Sequence, residues 1–390
     1  MKEISLKGLN TSLNGKVLRV QAEVSGAEPI WFEINQKYQS MLDTKSVDAF
    51  FILYVWIAME MGVDLRVEAA VSKQLSDSVL NNVKNMFLIL CPRLRDINIT
   101  VLKQISCPPN NFYHSATGFS GGVDSWYTAL KAVEIDNPYA YYMFANTGQH
   151  GEYNVEEVVA QRAAIAKNAL KTLDAPLIVV DSNIDNVFKE RFQQRDVIGN
   201  IACVLLLQEG ISSYSYSSSY APEDSKVAEH YDMSIMDPYL IPALSTERIE
   251  FRPIGIGATR IQKLRYISNA EKFSNKIYVC IEKELPIKNC GHCFKCRRTQ
   301  LALDSIGEME LIKNNFGFSF FQQIRSASLI GLFASARKDN LDLEVTEELE
   351  EKYGIKVLYY KFLGTIWSVI RNYVPGGLKW RSMAKKPYLW

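Results

Sequence analysis

Residues 115–133 constrain the fold more than any other stretch of this chain. Ser115-Ala116-Thr117-Gly118-Phe119 is small and apolar enough for a buried strand, and Trp126 to Val133 carries a helical pattern. Between them lies Phe119-Ser120-Gly121-Gly122-Val123-Asp124-Ser125. A glycine-rich turn from strand into helix offers backbone N–H groups and the positive end of the helix dipole to an anion. Two adjacent glycines let the backbone approach a phosphate closely. Ser120 and Ser125 add hydroxyl donors. Asp124 is the odd member, because a carboxylate beside a phosphate repels it unless a cation lies between them; it reads as a Mg²⁺ anchor.

The surrounding pattern predicts the rest of the architecture. Tyr139 to Ala145 and Leu177 to Val180 read as strands, Glu156 to Leu173 and Ile198 to Gln208 as helices, and Ile211 to Tyr216 as a further strand. Such alternation predicts an α/β fold with a doubly wound parallel sheet, whose ligands lie at the carboxyl ends of the strands. Asn146, at the end of the second of these strands, is either a nucleotide contact or part of a turn. Residues 1–110 read as an α+β domain, with strands at Lys16 to Val24, Pro29 to Ile34, Leu65 to Ala69 and Ile97 to Leu102. Helices are expected at Val47 to Met61 and Ser72 to Leu90. Cys107-Pro108-Pro109-Asn110-Asn111 breaks regular structure and marks a boundary. The expected organisation is thus an N-terminal domain over 1–110, a catalytic domain over 111–310 and a helical extension over 311–390.

Cys290-Gly291-His292-Cys293-Phe294-Lys295-Cys296 sets three thiols at a spacing that lets them converge on one ion around a tight turn. Cys280 follows the strand-like Lys276-Ile277-Tyr278-Val279 and is the expected fourth ligand, with His292 as its competitor. Four cysteines leave no open position, so the expected ion is a structural Zn²⁺ in a small module. An iron–sulfur cluster and free thiols are the alternatives. Cys91, Cys107 and Cys203 read as ordinary buried or boundary cysteines.

The heptad at 119–125 resembles the S-G-G-x-D-S signature of the PP-loop ATP pyrophosphatase family. With the four cysteines it is similar to the 7-cyano-7-deazaguanine synthase, or QueC-like, branch of that family. The resemblance covers roughly residues 113–310; the first 110 residues and the last 80 or so have no counterpart in a typical synthase. It implies an adenine nucleotide alpha hydrolase-like fold. It also implies an ATP-dependent enzyme that forms AMP and pyrophosphate and makes a carbon–nitrogen bond. The cofactors implied are ATP, Mg²⁺ and Zn²⁺. ATP would contact Phe119, Ser120, Gly121, Gly122, Val123, Asp124, Ser125 and Asn146. A carboxylate or amide would be adenylated and then attacked by ammonia or an amine. The substrate that the resemblance implies would be a 7-deazaguanine, a related small molecule or a protein end. The alternatives are a tRNA sulfurtransferase of the same class, or a non-catalytic nucleotide-binding subunit of a defence or polysaccharide system.

Arg252 to Lys263 reads as strand, loop and helix, with Thr259 as the N-cap. Arg260 and Lys263, three residues apart, share one helical face. They are catalytic candidates beside Asp124, suited to neutralising pyrophosphate or a substrate carboxylate, with a solvated helix face as the plain alternative. Glu344 to Glu351 is acidic and helical in pattern, and Val357 to Val374 is apolar and aromatic. Lys379, Arg381, Lys385 and Lys386 follow, mixed with Trp380, Tyr388 and Trp390. A helix packed on the catalytic domain is expected there. The formal charge of +1 gives no global field for nucleic acid. Neither nucleic acid nor a membrane surface is an expected partner. A homodimer, or a protein partner engaging the first domain or the tail, stays open. The first residues lack the apolar run of a signal peptide, so a cytoplasmic setting is expected, and in that setting crowded cysteines point to metal.

Overall fold

A computed structural model of the chain describes residues 3–109, 114–148, 155–188, 192–282, 288–336 and 339–373. Two compact units emerge. The first comprises residues 1–119, 131–155 and 166–256, and the second comprises residues 120–130, 156–165 and 257–390.

The first unit is built on one ten-stranded, mostly parallel sheet. Its strands are β1 (Glu3–Asn14), β2 (Val17–Ser25), β3 (Trp31–Asn35), β4 (Asp64–Ser72), β5 (Ile99–Ile105), β6 (Ser115–Gly118), β7 (Tyr141–Ala145), β8 (Leu177–Ser182), β9 (Ser213–Ser217) and β10 (Glu250–Ile254). They lie in the order β10-β9-β6-β7-β8-β3-β2-β1-β4-β5. From β10 to β8 all pairs are parallel. The strand order reverses at β6, because β7 and β8 extend the sheet to one side and β9 and β10 to the other. That reversal is the switch point at which doubly wound sheets bind ligands. The strands of residues 1–110 continue the same sheet. β3 pairs antiparallel with β8, joining Phe32 to Ser182 and Ile34 to Val180.

Helix α1 (Asp48–Met61) packs on β4 and is buried all round from Asp48 to Met59, as its unbroken apolar run predicts. A polar network crosses the sequence position of the expected boundary. Gln208 Nε2 donates to Asp43 Oδ2 at 2.7 Å and to Asp48 Oδ2 at 2.9 Å, and Thr246 donates to Gln208 Oε1 at 2.7 Å. Residues 3–105 therefore share one sheet and buried hydrogen bonds with residues 115–254. Asn110 and Asn111, in the expected boundary, lie outside the described residues. Residues 73–90 are helical as expected, with a π turn at Val79–Val83.

Helices α2 (Val123–Glu134) and α3 (Val155–Leu170) contribute residues to both units, and α4 (Asp196–Leu205) belongs to the first, where it packs on α1. The second unit adds α5 (Arg260–Ser268), α6 (Phe294–Ile306), α7 (Phe318–Ser335), α8 (Asn340–Tyr353) and α9 (Ile355–Tyr373). The strand expected at Lys276–Val279 does not form. Its backbone groups are satisfied another way: Tyr278 N–H donates to Gly121 O at 2.8 Å, and Val279 and Cys280 N–H donate to Asn289 Oδ1 at 2.8 and 3.1 Å.

Candidate functional site

In the second unit, the loop Ser120–Ser125 turns into α2 through Gly121, whose φ of +79° suits glycine and strains other residues. The serines brace the turn. Ser120 Oγ accepts from Gly122 N–H at 3.3 Å and lies 3.5 Å from Ser125 Oγ, which donates to Gly122 O at 3.0 Å. Trp126 Nε1 donates to Lys276 O at 3.1 Å, so the segment preceding Cys280 lies along the loop.

Asp124 stands in the first turn of α2 and receives two cations from α5. Lys263 Nζ lies 2.9 Å from Oδ1, and Arg260 Nη1 lies 3.3 Å from Oδ2. The Lys263 side chain is fully buried, and that of Asp124 is 21 % exposed. Burial pushes the Asp124 carboxyl up, but the charges of Lys263 and Arg260 outweigh it and hold the group below the usual carboxylate range. Helix α5 begins as expected: Thr259 Oγ1 accepts from Gln262 N–H, and Gln262 Oε1 accepts from Thr259 N–H, which completes a capping box. Three-residue spacing then turns Arg260 and Lys263 to one side, where both reach Asp124.

A residue that sequence reasoning missed fixes this helix. Glu344, on α8, accepts from Arg260 N–H at 3.0 Å and from Ile261 N–H at 2.6 Å. Its carboxylate caps α5 at the positive end of the helix dipole. One turn later on α8, Glu348 pairs with Arg265 of α5. No local pattern could reveal an acidic cap supplied from more than eighty positions away.

The four expected ligands Cys280, Cys290, Cys293 and Cys296 converge, with their sulfurs all within 4.8 Å of one another. Four sulfurs placed about 2.3 Å from a tetrahedral zinc stand about 3.8 Å apart. Cys290 Sγ and Cys296 Sγ are 3.8 Å apart. These residues could therefore hold a metal ion such as zinc. Backbone N–H groups support the sulfurs, from Cys293 to Cys290 at 3.2 Å and from Glu282 to Cys280 at 3.4 Å. Hydrogen bonds among the four sulfurs lower the Cys280 and Cys293 thiols and raise those of Cys290 and Cys296, the pattern of thiols that share protons within one cluster. Gly291 has a φ of +77°, and a Cβ there would stand 3.1 Å from the Phe320 ring and 3.3 Å from Phe316 O. The glycine is thus required twice over. Asn289, also missed, ties the two cysteine-bearing segments together through its bonds to Val279 and Cys280 and its donation to Ile277 O at 2.8 Å. His292 lies outside the four-cysteine set, 3.1 Å from Cys290 O and 3.5 Å from Glu282, and with Glu282 and Cys290 it forms a second group of ligand atoms within 4.8 Å of one another.

The remaining expected nucleotide contacts have structural partners. Phe119 is buried edge-on to Tyr142, and Val123 is buried. Asn146 joins the ends of β7 and β8 in the first unit: its Nδ2 donates to Asp181 Oδ1 at 2.6 Å, and its carbonyl accepts from Ser182 Oγ at 2.6 Å. Beyond β7, the buried Arg195 donates to Thr147 O at 2.7 Å and pairs with Asp185. A second polar cluster joins Asp196, Ser234, Asp232 and Tyr220, in which burial pushes both carboxyls up. Neither cluster carries a sequence signature, since its members come from separate segments of the chain. Cys203 is buried, and burial pushes its thiol well up, which disfavours a reactive thiolate.

The chain matches no family model, no curated protein and no solved structure.

Proposed function

We propose that the protein is an ATP-dependent, AMP-forming enzyme that adenylates a carboxylate for attack by ammonia or an amine. The observation that carries this reading is Asp124, held by Lys263 and Arg260 in the first turn of a helix that follows a double-glycine loop. β6, the strand leading into that loop, stands where the sheet order reverses. ATP phosphates would lie on the N–H groups and hydroxyls of Ser120–Ser125. Mg²⁺ would neutralise phosphate charge. Asp124 suits it, because the carboxylate stays ionised and each oxygen keeps a lone pair beyond its ion pair.

A substrate carboxylate oxygen would attack the α-phosphorus and pyrophosphate would leave. Arg260 and Lys263 would stabilise the charge that builds on the departing group. Nitrogen would then attack the acyl carbon, with AMP leaving. The four-cysteine module would hold the segment that lies along the loop, taking no part in the chemistry. A 7-deazaguanine carboxylate is the first substrate to test, on the strength of the sequence resemblance.

The test is mass spectrometry of nucleotides after incubation with ATP, Mg²⁺ and 7-carboxy-7-deazaguanine, beside an Asp124→Ala control. AMP with an amide or nitrile product, lost in the control, is the expected result. AMP without that product moves the search to another acceptor. Unchanged ATP across a panel of carboxylates, with and without ammonia, overturns the reading.

A further inference from the structure

Helix α9 of the second unit has two unlike faces. One packs on α7, so closely that a Cβ at Gly364 would stand 2.7 Å from Phe333 Cβ and 3.0 Å from Ile330 O. The other is exposed and apolar. Ile355 is 84 % exposed, Tyr359 63 % and Phe362 65 %, and Ile366, Val369 and Ile370 continue the row. At about 3.6 residues per turn these six positions fall within an arc of about 120°. The sequence predicts a helix packed on the catalytic domain; α9 packs instead mainly on α7 and α8 of the extension, and that packing covers only half of it.

The sequence from α9 onward is one-sided in charge, although Lys361 of α9 pairs with Glu350 of α8. From Lys352 to Trp390 the sequence contains eight Lys and Arg residues and no Asp or Glu, although the whole chain carries a net charge of only +1. Lys356 is exposed at the border of the apolar row. Trp380, Tyr388 and Trp390 follow in sequence, residue types that favour the boundary between water and lipid. Among the described residues no helix is long and apolar enough to cross a membrane.

We propose that α9 lies flat on an anionic lipid bilayer, with Tyr359, Phe362 and Ile366 in the acyl boundary and the basic residues at the headgroups. An exposed apolar row bordered by Lys356 and followed in sequence by basic and aromatic residues is the pattern of an interfacial helix. Nucleic acid would satisfy the charge but leave the aliphatic row in water. A second copy of the chain would cover the row as well, and the oligomeric state in the test below separates the two. The proposal is independent of the reading of the Asp124 site.

The test is vesicle flotation of the whole protein with phosphatidylcholine alone and with about 30 % phosphatidylserine added. We expect binding only to the anionic vesicles, weakened roughly tenfold by about 0.5 M salt. The double variant Phe362→Glu/Ile366→Glu should lose binding while keeping its gel-filtration volume, since both side chains face solvent. Absence of flotation with either vesicle overturns the proposal. So does a wild-type dimer that the double variant converts to monomer without any vesicle binding, which would assign the face to self-association. Equal binding by wild type and double variant would show that charge alone acts, and would remove α9 from the account.

Discussion

Replacing Lys263 with methionine removes one cation from Asp124 with little change in shape. Lys263 Nζ is 2.9 Å from Asp124 Oδ1, and its side chain is fully buried. At an effective dielectric constant of about 20, a pair at that distance attracts by about 6 kcal/mol. Desolvating the two groups offsets several kcal/mol of this, and Arg260 remains beside Asp124 in the variant. The expected loss of unfolding free energy is therefore about 2–4 kcal/mol at pH 7. The assay is urea unfolding of wild type, Lys263→Met, Asp124→Asn and the double variant. The double variant should lose less than the sum of the singles, by about 2 kcal/mol. Acid gives a second readout. The Asp124 pKa is depressed in the folded protein, so its contribution is complete above the unfolded value of about 3.9 and is lost as pH falls through the lower folded value. The gap between wild type and Lys263→Met should hold steady from pH 7 to about 5 and close below about 4. Additive losses in the cycle, or a gap indifferent to acid, would refute the reasoning.

Two further outcomes follow from the same unit. Metal analysis of purified protein should find about one zinc per chain, falling below about 0.2 in Cys296→Ser, with faster proteolysis near residues 276–300. Full zinc retention by Cys280→Ser would remove that residue from the ligand set. Glu344→Gln should cost about 0.5–1 kcal/mol in urea unfolding by taking the negative charge from the N-terminus of α5. A loss unchanged at high salt would argue that packing, not charge, makes the contact.

The elements that sequence reasoning located are those with a local signal. The apolar run at residues 49–59, the alternation in β2 and the glycine loop before α2 each announce themselves within a few residues. The convergence of Arg260 and Lys263 was readable from helical spacing, and the cysteine cluster from ligand spacing. β1 was missed because much of Glu3–Asn14 is exposed and polar; its pairing with β2 and β4, rather than a buried face, defines it. Lys276–Val279 misled because its apolar residues are buried without a neighbouring strand, their backbone groups being taken by Gly121 and Asn289. Glu344 and Asn289 act across tens of residues or onto backbone groups alone, so no pattern in the chain marks them. The basic aromatic segment after Tyr373 lies outside the described residues.

The pairing of β3 with β8 bears on how the protein can be cut. A truncation placed at the proline- and asparagine-rich break in the sequence would begin near residue 111. That fragment keeps β7 on one side of β8 but removes β3 from the other. Leu177–Ser182, with Ile178 and Val180 among its side chains, would then become an open sheet edge of unpaired N–H and C=O groups, a template for other copies to pair with. Insolubility of such a fragment would report a missing neighbour strand, and would say nothing about whether its double-glycine loop can work.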